Sequence, residues 1–134
     1  MDVKAAPDAV EILLFSNDRH TRETIMDAAG VSGVFDLPPI KWLEVATSAA
    51  VKQNFEEGRF AALVLDAEVP KEGGESVSRW LHDHSEKVPP VVMLVARQQD
   101  EWMARWSGAK RCVPAPYDAE DVVDTIREVL KPAN

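Results

Sequence analysis

The sequence predicts an α/β fold, a single doubly wound (βα)5 domain built on a central five-stranded parallel sheet. Short apolar runs that stop abruptly at polar residues recur along the chain, and a segment with helical spacing follows each one. Runs of this kind are strands buried on both faces, so the crossovers are right-handed and helices cover both sides of the sheet. Ligands and chemistry in such a fold lie at the carboxyl ends of the strands.

Val10 to Phe15 (VEILLF) halts at Ser16-Asn17-Asp18 and reads as β1. His20 to Ala29 places Ile25, Met26 and Ala29 on one face, with Gly30 as the C-terminal cap, and is α1. The stretch from Gly30 to the Pro38-Pro39 pair is long for a connection between helix and strand and reads as irregular; Ile40 to Val45 follows as β2. Ser48 to Glu57, ending at Gly58, is α2, and Ala61 to Leu65 is β3, running directly into Asp66. Beyond the turn from Pro70 to Gly74, Glu75 to His84 forms α3 with Val77, Trp80 and Leu81 on a shared face, and Val91 to Val95 is β4. Asp100 to Ser107 reads as α4, Arg111 to Val113 as β5, and Ala119 to Leu130 as α5, with Val122, Val123, Ile126 and Leu130 at helical spacing.

With 134 residues, 46% of them hydrophobic, the chain can fill one core, so one domain over 1–134 is expected, its core from about 10 to 130. The 23 acidic against 15 basic side chains, a net charge of -8, repel a phosphate backbone and exclude nucleic acid as the expected partner. Cys112 is the only cysteine and cannot form an internal disulfide. The opening Met1-Asp2-Val3-Lys4 leads into no apolar stretch long enough for a signal peptide or a membrane span. A cytoplasmic protein without direct membrane insertion is the expectation.

Four segments carry a family resemblance: ILLFSNDRHTR at 12–22, LVLDAEVPKEGG at 63–74, PVVMLVAR at 90–97 and GAKRCVPAPYD at 108–118. From about Val10 to Leu130 the chain resembles the receiver domain of two-component response regulators, which implies a flavodoxin-like receiver fold. The resemblance puts Asp66 on the phospho-acceptor, Ser16 and Asn17 on the paired acids, Val95 on the hydroxyl at the end of the fourth strand, and Ala115 on the lysine that precedes Pro116. Cys112 takes the place of the aromatic residue through which receivers transmit the signal.

Phosphorylating an aspartate needs a magnesium ion held by carboxylates, and a lysine and a hydroxyl that hold the product. Losing one such aligned stabiliser costs ~10²–10³ in rate, so the substitutions together predict a vestigial site with no catalysis, no metal and no cofactor. Asp18 lies one residue past the acidic pair and is expected to cap α1.

Trp102 and Trp106 lie four apart on α4 beside Met103, either as core residues or as an exposed pair of the kind that anchors interfaces. Small Ala104 and Ser107 are the expected inward-facing residues of α4 and favour exposure of the tryptophans, so Trp102, Met103 and Trp106 are the candidate partner-binding residues. Trp42 and Trp80 are expected in the core, His82 and His84 solvated at a helix end with poor geometry for a shared metal, and Cys112 inert. The glycines at 73 and 74 form a turn and lack the partner residues of a phosphate loop.

These readings favour a phosphorylation-independent, receiver-like protein-interaction module, with no output domain expected after α5. The long segment between α1 and β2 and the helix DEWMARWSGA resemble a group of actinobacterial orphan response-regulator-like proteins associated with respiratory complex I. That resemblance implies an accessory subunit of the hydrophilic arm of an NADH:quinone oxidoreductase, held at the inner face of the membrane through the complex. One alternative is a single-domain response regulator still phosphorylated on Asp66 in a phosphorelay; another is a small-ligand site where Ser16, Asn17 and Asp66 meet.

Overall fold

The computed structural model describes residues 9–30 and 37–131. Five strands, β1 (Val10–Phe15), β2 (Ile40–Val45), β3 (Ala62–Asp66), β4 (Val91–Val95) and β5 (Arg111–Pro114), form one sheet in the order β2-β1-β3-β4-β5. Every pairing is parallel. The helices are α1 (Arg19–Ala29), α2 (Ser48–Asn54), α3 (Gly74–His84), α4 (Glu101–Trp106) and α5 (Ala119–Val129), with a 3₁₀ turn at Gln98–Asp100 leading into α4.

Alternation along the buried strands divides the core into two layers. Ile12, Leu14, Val64, Leu94 and Val113 point to the side covered by α1 and α5, against Ile25, Val122, Val123 and Ile126. Leu13, Phe15, Leu63, Leu65, Met93 and Val95 point to the other side, against Val51 of α2, Val77 and Leu81 of α3 and Ala104 of α4. With β1, β3 and β4 sandwiched in this way, their runs have no wet face, which is why they read as continuous apolar segments.

Several boundaries depart from the expectation. α2 ends at Asn54 because Phe55 turns to extended backbone and packs against the core; the chain then turns through Gly58, at φ 81. Asp66 belongs to β3 itself, and Pro114 to β5. Gly30 caps α1 as expected, in right-handed geometry, its N–H donating to the Asp27 carbonyl. β2 is one of the two edge strands and is only partly covered, which leaves Trp42 half-buried; Trp80 is likewise half-buried, stacked on the His84 ring with centroids 4.0 Å apart. Positions 31–36 of the segment expected to be irregular lie outside the described residues, and Leu37 to Pro39 carry no regular structure. Among the described residues no helix is long and apolar enough to cross a membrane.

Candidate functional site

Parallel alignment brings the carboxyl ends of β1, β3 and β4 together at one edge of the sheet. Asp66, the last residue of β3, is only 4% exposed, and both carboxylate oxygens are engaged. Oδ2 accepts a 2.7 Å hydrogen bond from Ser16 Oγ and Oδ1 accepts one of 2.8 Å from the Glu68 amide, a local turn that folds the chain back after the strand. Ser16, fully buried, also accepts the Asp18 amide at 3.1 Å. Asp18 in turn caps α1, its Oδ1 accepting the His20 amide at 2.9 Å, as its position one residue beyond the pair implied.

The other aligned positions are not joined to this pair. Asn17 is exposed beside Ser16. Val95 ends β4 fully buried, packed into the layer beneath α2, α3 and α4. Ala115 follows β5, exposed, its amide donating 2.8 Å to the Val95 carbonyl, and the Ala115–Pro116 peptide bond is cis. Among the described residues no group of three or more His, Cys, Asp or Glu side chains could hold a metal ion.

Two residues at this edge were missed in the sequence. Arg22 reaches back from α1 so that its guanidinium donates 2.6 Å to the Ser16 carbonyl and 3.0 Å to Glu44 of β2. Tyr117, at φ 62 after the cis bond, is half-buried; burial, then the charges of Asp66, Glu68 and Asp18, push its phenol up to about 12. An arginine four residues along a helix from its cap, and a tyrosine outside any periodic segment, carry no motif that would single them out.

Ala104 of α4 and Ser107, which caps its end, are fully buried, while Trp102, Trp106 and Met103 are 67%, 64% and 40% exposed. His82 and His84 diverge as expected, but neither is merely solvated: His82 Nδ1 donates 2.7 Å to the Ser78 carbonyl and His84 Nδ1 2.7 Å to that of Trp80. Burial pushes the Cys112 thiol up to about 11, which keeps it protonated and poorly nucleophilic near neutral pH.

No protein-family model matches the chain. Uncharacterised response regulatory proteins from two strains of Mycobacterium tuberculosis, H37Rv and CDC 1551, are 34% identical to it over 123 residues, 92% of this chain and 92% of theirs. This chain belongs to the response regulator family. Solved receivers share its fold at lower identity. A response regulator from Chloroflexus aurantiacus superposes with a TM-score of 0.78 at 16% identity, covering 91% of this receiver and 98% of that chain. The NarL receiver domain from Mycobacterium tuberculosis gives 0.74 at 18%, covering 95% and 100%. The BeF3-activated DrrB receiver domain gives 0.72 at 18%, covering 92% and 99%.

Proposed function

We propose that this receiver is a phosphorylation-independent protein-docking module, in which Asp66, Ser16, Asn17, Val95 and Ala115 form a vestigial phosphorylation site. The observation that carries the reading is the Ser16–Asp66 hydrogen bond: the side chain standing at the first acidic position gives Asp66 a hydroxyl donor and supplies no carboxylate oxygen for a metal. Asp18 spends one carboxylate oxygen on capping α1, and among the described residues no group of three or more candidate ligands gathers around Asp66, so the donor set does not fit a divalent cation. Val95 offers no hydroxyl and Ala115 no charge to a phosphoryl group.

The exposed Trp102, Met103 and Trp106 supply the docking surface on this reading. By the sequence's resemblance to complex I-associated orphan regulators, the partner is the hydrophilic arm of an NADH:quinone oxidoreductase, and the receiver is its accessory subunit.

The test has two arms. Incubation with acetyl phosphate and magnesium, followed by intact mass, is expected to add no phosphoryl group; labelling lost in Asp66→Ala overturns the reading and restores a phosphorelay. In a mild-detergent pull-down, wild type and Asp66→Ala recover the respiratory complex while Trp102→Ala/Trp106→Ala does not; loss with Asp66→Ala sinks the proposal.

A further inference from the structure

The same helix that exposes the tryptophans borders a groove of about 370 Å³ against α3, lined by Glu75, Ser76, Arg79, Met103 and Trp106. Its apolar wall is Met103 and the Trp106 ring, over which the Arg79 guanidinium lies 5.0 Å from the centroid. Of its two charged lining residues, Arg79 has an acidic partner and Glu75 has none among the described residues. Arg79, Arg97 and Arg105 are each neutralised by an acid three or four residues away, Asp83 at 3.8 Å, Asp100 at 2.9 Å and Glu101 at 2.8 Å. Glu75 makes no hydrogen bond or ion pair through its side chain among the described residues; burial, then the charges of Glu68 and Asp100, push its carboxyl up. An unpaired, partly desolvated acid beside an apolar wall gains most from a cation that arrives with apolar surface attached.

We propose that the α3–α4 groove takes a basic amphipathic segment of the protein partner, with an aliphatic side chain against Met103 and Trp106 and a lysine or arginine paired with Glu75. A second copy of this chain is the poorer occupant, because two such faces would bring like charges together in a protein whose net charge is -8. The proposal rests on the docking reading and names the chemistry of the partner.

The probe is a synthetic helical peptide of leucine and lysine, titrated into the full chain while the indole N–H resonances of Trp102 and Trp106 are followed by NMR. Saturable shifts at Trp106 are expected, with Glu75→Lys weakening binding at least about tenfold and Glu120→Lys, an equal charge change on α5, by less than about threefold. A leucine–glutamate peptide is expected not to bind. Equal weakening by the two charge reversals, shifts confined to other faces, or no saturation overturns the groove. A failed titration while Asp66 still refuses phosphate leaves phosphorylation-independent docking standing; binding that begins only once Asp66 carries phosphate keeps the groove and overturns that docking reading.

Discussion

Ser16 Oγ and Asp66 Oδ2, fifty residues apart in sequence, lie 2.7 Å apart and tie the end of β1 to the end of β3. A buried hydrogen bond to a charged acceptor contributes about 1.5–3 kcal/mol, and its loss leaves a carboxylate short of a donor. Ser16→Ala is therefore expected to lower unfolding free energy in urea by about that amount, more than a typical surface change of ~0.5 kcal/mol. A loss no larger than a surface change would show that water replaces the hydroxyl.

The same contact predicts what restoring acids would do. Ser16→Asp/Asn17→Asp places new carboxylates beside Asp66, and without metal their repulsion is expected to lower Tm. Magnesium then has a site, and at ten times its Kd it should return about 1.4 kcal/mol of stability. Wild type is expected to show no magnesium-dependent rise in Tm. A rise in wild type equal to that of the double variant would mean that Asp66, Asp18 and Glu68 hold the ion unaided.

The sheet was legible because burial on both faces writes itself into the sequence as unbroken apolar runs, as in Val91–Val95, whose limits the structure reproduces. Helix ends were less legible where tertiary packing overrides spacing: Glu56 and Glu57 continue a helical pattern, yet packing Phe55 against the core in extended backbone stops α2 first. At the site, alignment located Ser16 and Asp66 at adjoining strand ends, but their direct bond depends on side-chain geometry that no spacing encodes. Arg22 and Tyr117 reach the site from a helix flank and a loop, and only the assembled fold brings them there. Exposure of Trp102 and Trp106 was favoured but not decided by the sequence, because an i, i+4 pair marks a face without saying which way it points and only small Ala104 and Ser107 argued that the opposite face turns inward.

Cys112 and Tyr117 are expected to weaken the fold at alkaline pH. Burial raises the thiol from 9.0 to about 11 and, together with nearby acids, the phenol from 10.0 to about 12. The unfolded chain loses these protons at lower pH than the folded one, so the stability each contributes is complete below its unfolded value and lost as pH rises through its folded value. Unfolding free energy is expected to be flat with respect to these groups at neutral pH and to decline above about pH 9, with Cys112→Ser and Tyr117→Phe each shallowing that decline. Denaturant titrations at stepped pH check it; identical slopes in all three proteins would mean that other groups govern alkaline unfolding.

Gly108 and Gly58 separate backbone strain from crowding. Both have positive φ, 106 and 81, but a methyl group at Gly58 would meet nothing within 4 Å, whereas at Gly108 it would stand 2.7 Å from His82 Cε1. Gly58→Ala is expected to cost about 1 kcal/mol, the penalty of a left-handed conformation alone. Gly108→Ala adds a collision with a ring anchored to the Ser78 carbonyl, beside the buried bond that Ser78 Oγ donates to the Ser107 carbonyl at 2.8 Å. That bond joins α3 to the end of α4, so displacing the ring is expected to raise the cost above that of Gly58→Ala and to shift the indole resonances of Trp102 and Trp106. His82→Ala/Gly108→Ala should then cost less than the sum of its single changes, by about 0.5–3 kcal/mol in a double-mutant cycle. Strict additivity would show that the ring simply swings into solvent and that the junction between α3 and α4 does not depend on it.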